Sequence, residues 1–344
     1  MANMTKHFFI PEKVFIEKAA LDYPLGKILF RKFTQKNIPV KLMNSIRVQS
    51  LPGKTSAEKY RRAKKILAVS VRKTLTFTTC KPSAHYQLPL STSCPGGCEY
   101  CYLQTTLGKQ PYLKAYVNLE EILEKTQKYI DDNAPRITVF EASATSDPVA
   151  LESWTGSLFK TIEYFGKQKY GRLRMVTKFT GIDPLLKAVH HNNTRIRFSL
   201  NTETIIKKYE KRTPSLEERI KAAKKVMEAN YPMGFIVAPI FLYPHWEEDY
   251  LNMFKSLKKH IGKQDKSLSF ELITHRFTKR AKNIIKERFP ETTLDMHEKN
   301  RIFKWGQFGY GKYLYQPDDR KVLESFFYEN IKKFFPEAEV EYFI

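Results

Sequence analysis

AHYQLPLSTSCPGGCEYCYLQT, residues 84–105, begins as a strand-like run and ends in three closely spaced cysteines. Cys94, Cys98 and Cys101 give the pattern C-x3-C-x2-C on a loop that contains Gly96 and Gly97. Three thiolates spaced in this way can face a common centre, leaving a four-site metal group one protein ligand short. Structural zinc favours four closed ligands, commonly from two separated pairs. Iron–sulfur clusters are also held by thiolates, usually four. A set of three leaves one metal position open to an outside ligand. The fourth cysteine, Cys80, stands apart. A disulfide framework would spread its cysteines along the chain, so the grouping reads as a metal site.

Outward from this loop, short apolar runs alternate with amphipathic ones. Strands are expected at AHYQLPL (84–90), RITVFE (136–141), RLRMVT (172–177), TRIRFSL (194–200), GFIVA (234–238) and SLSFELI (267–273). Helices are expected between most of them. Asn118 with Glu121 reads as a capping box, and so does Ser215 with Glu218. Asp183-Pro184 reads as another helix start. Residues 54–73 also look helical. Parallel neighbours need crossover connections, so six strand–helix units fit a doubly wound sheet or a partial (β/α)6 barrel of the TIM type. In either fold chemistry belongs at the C-terminal strand ends, and the cysteine loop follows the first strand. Residues 1–82 are read as a basic, mostly helical region packed on the barrel, 83–300 as the barrel, and 301–344 as a hairpin with a closing helix.

The chain has 344 residues, 59 Lys and Arg against 36 Asp and Glu, and a formal net charge of +23. With 42% hydrophobic and 13% aromatic residues it can build a sizeable core, which argues against disorder. Such a charge favours a polyanionic partner, most simply nucleic acid, because Lys and Arg release condensed counterions from phosphates. Residues 1–25 lack the apolar core of a secretory signal. The most apolar run, 234–243, is half a bilayer span and is broken by Pro239. An intracellular protein without a membrane partner is expected.

The C-x3-C-x2-C motif, with the aromatic Tyr100 before its third cysteine, resembles the radical S-adenosylmethionine superfamily. Within it, the chain is most similar to the spore photoproduct lyases, along 80–105, EASATSDPVALE (141–152), VTKFT (176–180), RFSLNTE (197–203), GFIVAPI (234–240) and the C-terminal hairpin. The resemblance implies a [4Fe–4S] cluster on Cys94, Cys98 and Cys101, with S-adenosylmethionine (AdoMet) on the fourth iron. It implies an external one-electron reductant and a 5′-deoxyadenosyl radical. That radical takes the C6 hydrogen of 5-thyminyl-5,6-dihydrothymine, the spore photoproduct, in double-stranded DNA of germinating spores, and two thymines result. A cytoplasmic, spore-core location is implied as well. Tyr102, Ser146, Lys178, Ser199 and Ala238 would surround AdoMet, and Tyr100 and Tyr102 would relay hydrogen. The chain departs from the family at Ala144, where the resemblance implies a hydrogen-donating cysteine, so impaired turnover is expected.

The hairpin segment RIFKWGQFGYGKYLY (301–315) is aromatic and basic. Arg301, Lys304 and Lys312 are candidate phosphate contacts, as is Arg276 after the sixth strand. Trp305, Phe308, Tyr310 and Tyr313 are candidate wedges for a lesion that must leave the stack. Two rival readings are a radical enzyme acting on RNA and a non-catalytic, zinc-stabilised nucleic-acid-binding protein with Cys80 as fourth ligand.

Overall fold

The computed structural model describes residues 9–46, 51–108, 110–262, 268–305, 309 and 311–344. Seven strands lie side by side in chain order: β1 (Ala84–Leu88), β2 (Thr138–Ala142), β3 (Gly171–Thr177), β4 (Thr194–Leu200), β5 (Met233–Ile240), β6 (Ser269–Thr274) and β7 (Glu339–Phe343). All neighbours among them pair in parallel. The short strand Thr79–Cys80 adds antiparallel to the free edge of β1. The six expected strands are β1 to β6, and the curled sheet is the half-barrel of the sequence reading. β7 was not anticipated.

Alternation along the strands explains the curl. In β4, Ile196, Phe198 and Leu200 are buried in the core, which the covering helices Ser157–Gly166 and Leu216–Glu228 complete. Arg195, Arg197 and Ser199 occupy the other face, which becomes a polar lumen. β3 repeats this pattern, with Leu173 and Met175 outward and Arg174 inward. Each fully buried aliphatic or aromatic side chain contributes about 1.5–3 kcal/mol, so the outer face carries most of the stability. In β5, a Cβ on Gly234 would lie 2.5 Å from Ser269 Oγ and 3.2 Å from Arg197 Cγ, so its bareness makes room for the arginine.

A second sheet has the order Val40–Met43, Lys13–Glu17, Ile66–Ser70, Leu113–Tyr116, Ser91–Thr92. It brings three strands into the region 1–82, beside the helices Pro24–Gln35 and Ser56–Ala63. The helix expected over 54–73 is confined to Ser56–Ala63, because the apolar, β-branched run after it pairs as a central strand. Trp154 joins the two bodies, its ring tilted 39° against that of Phe33 at 4.7 Å and its N–H donating to the Phe9 carbonyl at 2.7 Å.

Two helix starts also differ. Ser215 and Glu218 make the expected capping box. Asn118 does not cap its helix: its Oδ1 accepts from Arg72 N–H at 2.8 Å and its Nδ2 donates to Glu121 at 2.7 Å. Asp183-Pro184 opens a five-residue 3-10 turn instead of an α-helix. Among the described residues, no helix is long and apolar enough to cross a membrane.

Candidate cluster and cofactor site

The cysteine loop leaves Ser91–Thr92, which pairs into the second sheet, and returns across the C-terminal ends of the barrel strands. Ser93 takes a left-handed conformation (φ 64°), and its N–H donates to Thr145 O at 2.8 Å. Gly97–Cys98 pairs antiparallel with Glu210–Lys211. A Cβ on Gly96 would stand 3.3 Å from Cys94 Sγ and from Thr213 Cγ2, a tight fit that suits glycine.

Two buried cations brace the loop. Lys64 donates to Cys94 O at 2.7 Å, and burial lowers its pKa although the neighbouring cysteine sulfurs pull the other way. Arg288 donates to Gln104 O and to Gly108 O, at 2.8 and 2.7 Å, and Gln104 Nε2 donates to Cys98 O at 3.1 Å. Neither cation was singled out in the sequence, where each is one Lys or Arg among many.

The three thiols are close enough to act on one another's ionisation. Burial pushes Cys94 up to about 12 and Cys98 well above its ordinary range. Buried thiols in this state need a strong positive centre before they ionise. Among the described residues, no three Cys, His, Asp or Glu side chains converge as a site for one ion. Cys80 lies on the edge strand Thr79–Cys80, outside this loop. The groups that act on it most are Glu141, Arg197, Arg174 and Glu271 of the lumen.

Beside the loop, two of the expected cofactor residues, Lys178 and Ser199, meet. Lys178 Nζ donates to Ser199 Oγ at 2.6 Å, stands 3.7 Å from Glu210 Oε1 and lies 5.8 Å from the centre of the Tyr100 ring. Tyr100 donates to Glu210 in a short hydrogen bond. Burial would raise the Glu210 carboxyl, but Arg219 and Lys178 outweigh it and hold the group below its usual range. Arg219 reaches Glu210 Oε2 at 2.5 Å and Ser199 O at 3.0 Å. This Glu210–Arg219 pair organises the site and was missed, since a Glu within KKYEKR carries no motif.

Ser146 donates to Ser93 O, tying β2 to the cysteine loop. Asp147 accepts from Thr177 Oγ1 at 2.7 Å and from Lys178 N–H at 2.9 Å, and burial raises it to about 6. It also accepts from Val149 N–H at 3.2 Å, at the start of the helix Val149–Thr155. Ala238 lies on β5, half-buried at the same end. Tyr102 donates to the Ala144 carbonyl. Its residue surface is 57% accessible, yet desolvation raises its phenol well above the ordinary range.

Below these groups, Arg197 donates to both oxygens of Glu271, at 2.6 and 2.8 Å, and to Glu141. Glu141 Oε1 itself is buried without a partner. At the mouth, Arg301–Trp305 and Gly311–Tyr315 form the expected hairpin. Phe277 and Tyr313 exchange backbone hydrogen bonds of 3.2 and 2.8 Å and stack at 5.2 Å, clamping it to the barrel. Lys304 and Lys312 face each other across the hairpin, Trp305 is 70% exposed, and half-buried Arg276 lies near Lys312. Arg301 corrects the sequence reading. It is buried, 3.6 Å over the Tyr315 ring and bonded to His275 O at 2.9 Å, so it holds the hairpin's base and is not a surface phosphate contact. Phe308 and Tyr310 lie outside the described residues.

Fold and site together define a partial-barrel protein with a three-cysteine loop at the C-terminal ends of its strands. The family model "SPL: Spore photoproduct lyase" matches residues 9–344, and the chain belongs to that family. Spore photoproduct lyases of a Geobacillus species and of Bacillus subtilis are 48% and 47% identical to it. These matches cover 97% of this chain and 99% and 98% of the relatives. A solved spore photoproduct lyase with bound AdoMet and dinucleoside spore photoproduct is 49% identical, with a TM-score of 0.95 over 98% of this chain and 99% of that one. That molecule carries a Ser-to-Cys and a Cys-to-Ala substitution, in that order and as far apart along its chain as Cys80 and Ala144 are here.

Proposed function

We propose that this chain repairs the spore photoproduct in double-stranded DNA, returning two thymines, with a [4Fe–4S] cluster on Cys94, Cys98 and Cys101 and AdoMet beside it. The observation that carries this reading is the three-cysteine loop, with the desolvated thiols of Cys94 and Cys98, beside the Lys178–Ser199–Glu210 group, in a family of lyases. When bound, the cluster and AdoMet supply one-electron cleavage chemistry and the power to take an unactivated hydrogen, with the electron coming from an external reductant.

The chain's own residues bind and orient. Lys178 is a cation for the AdoMet carboxylate or ribose oxygens, and Glu210 with Ser199 fixes its ammonium. Ser146 and Ala238 border the same pocket, and Tyr102 reaches over it from the cysteine loop. Tyr100, held by Glu210, serves with Tyr102 as a hydrogen-carrying phenol. The Lys304–Lys312 pair and Arg276 meet phosphates, and Trp305 and Tyr313 occupy the gap left by a flipped lesion. Residues 1–82, 83–300 and 301–344 then act as support, reaction chamber and DNA clamp.

The test is anaerobic incubation of the reconstituted protein with dinucleoside spore photoproduct, AdoMet and dithionite, followed by mass spectrometry. Thymidine and 5′-deoxyadenosine should both appear. Intact lesion in the presence of a loaded cluster would refute the reading.

A further inference from the structure

The cysteine loop has two sides. Its lumen side carries Tyr102 and the Lys178–Ser199–Glu210 group, where AdoMet and the lesion are proposed to sit. Its outer side is thinly covered by the helix Ser56–Ala63. The buried Tyr60 of that helix accepts from Gln104 Nε2 at 3.1 Å. The same Nε2 donates to Cys98 O, also at 3.1 Å, so two hydrogen bonds join the helix to one of the three cysteines. Arg288 and Lys64 lie 5.0 and 5.3 Å from the centre of the Tyr60 ring and hold it in place.

The surface over this path is basic. Arg61 and Arg62 are exposed on the last turn of the helix. Arg212 joins them from the turn after Glu210–Lys211. It acts on the ionisation of both Tyr60 and Lys64, and its Nη2 would stand 3.4 Å from a Cβ on Gly97, the residue before Cys98. Arg212 is exposed and takes a left-handed conformation (φ 60°), which glycine adopts freely and arginine only under strain. A cationic side chain thus stands where the backbone alone would favour none. The acidic neighbour on the helix is Glu58, which accepts from Lys54 N–H at 2.7 Å and feels both Arg61 and Arg62.

We propose that the face made by Arg61, Arg62 and Arg212 docks an acidic one-electron carrier protein, whose electron crosses to the cluster by way of Tyr60 and Gln104. The inference rests on the proposed radical chemistry, which draws its electron from outside the chain. Electron transfer between proteins falls off exponentially with the separation of the two centres, so the carrier needs the thinnest cover over the cluster. AdoMet and the lesion fill the lumen side when the electron is required, which leaves the outer side. In this step the carrier is oxidised by one electron and the cluster takes it up, with no bond made or broken. Exposed cations steer a partner of opposite charge into the encounter. Duplex DNA is a polyanion too, but its lesion enters at the mouth of the barrel, where Lys304 and Lys312 face each other on the hairpin.

The test uses the reconstituted chain with a fully reduced, acidic flavodoxin as the probe. Semiquinone absorbance in stopped flow reports electron transfer, and anisotropy of labelled flavodoxin reports binding. At low salt, Arg61→Glu/Arg62→Glu should lower both affinity and transfer rate about tenfold, and Arg61→Gln/Arg62→Gln by a smaller factor. High salt should bring the three chains together. The same reversal at Lys255 and Lys259, exposed on the outer barrel helix Trp246–Ile261, should leave both readouts within about twofold. Every variant should keep the dithionite reduction and the duplex-DNA salt slope of the unaltered chain. Equal losses from the two reversals, or a transfer rate indifferent to Arg61 and Arg62, would overturn the inference. A DNA salt slope that falls in Arg61→Glu/Arg62→Glu while flavodoxin binding holds would overturn it by assigning the face to DNA. A cluster that takes the flavodoxin electron without thymidine release would overturn the repair function and leave the docking face standing.

Discussion

Replacing Glu210 by alanine should unfold the site from its centre. The carboxylate is fully buried, as is its partner Arg219, at 2.5 Å. It also accepts from Tyr100 and stands 3.7 Å from Lys178. Glu210→Ala leaves the Arg219 guanidinium buried without its counter-charge, and removing one partner of such a pair costs about 3–5 kcal/mol. Unfolding entropy of about 2.1 cal/mol/K per residue over a chain of this length gives about 0.7 kcal/mol/K, so Tm should fall by about 4–7 °C. Glu210→Gln keeps hydrogen-bond acceptance but loses the charge, a smaller cost of about 1.5–3 kcal/mol. The comparison is the exposed pair Lys221–Glu217, 2.6 Å apart with both side chains about 60% exposed, where Glu217→Ala should leave Tm unchanged. Thermal melts in low and high salt measure all three, and the Glu210 effect should survive salt because the pair is desolvated. A Glu210→Ala shift no larger than that of Glu217→Ala would refute the reasoning.

Three further outcomes are expected. Asp147 titrates near 6 in the folded chain, above its ordinary 3.8. The native state therefore binds its proton more tightly, and this group's contribution to stability falls as pH rises, by about 1 kcal/mol from pH 5 to 7. Urea unfolding of Asp147→Asn at both pH values should show that component gone, and an unchanged slope would count against it. Lys304→Ala and Lys312→Ala should each weaken binding to duplex DNA of any sequence and lower the slope of log affinity against log salt by about 1, read by fluorescence anisotropy. Arg301→Ala should lower Tm through lost packing on Tyr315 and the lost bond to His275 O, while the DNA salt slope stays as it was. A salt slope that drops with it would return Arg301 to the phosphate contacts.

Much of the barrel was legible because its strands write their two faces into the sequence. TRIRFSL alternates, so Ile196 and Phe198 had to face helices while Arg197 and Ser199 faced something polar. The cysteine loop was legible for a different reason, since metal-ligand spacing is a local property. Ser146, Lys178, Ser199 and Ala238 became readable through family resemblance, and strand-end position made their meeting plausible. What escaped depends on distance. Glu339–Phe343 joins the sheet only because Ser269–Thr274 offers an edge, which no local pattern announces. Ile66–Ser70 follows a helix with hardly a turn signal and becomes a strand through pairing on both sides. Arg301 and Lys304 look alike in sequence, yet one lies in a pocket over Tyr315 and the other faces solvent. Arg219 and Lys64 were hidden by abundance, since a chain with 59 basic residues does not mark which are buried.

The most direct test of the proposed chemistry is the EPR spectrum of the anaerobically reconstituted, reduced protein, recorded with and without AdoMet. A cluster held by Cys94, Cys98 and Cys101 with one open iron should give a [4Fe–4S] signal that changes when AdoMet is added. It should disappear when any one of the three cysteines is replaced by alanine and persist in Cys80→Ala. A signal indifferent to AdoMet, or one that needs Cys80, would contradict the open-iron site and the radical chemistry that depends on it.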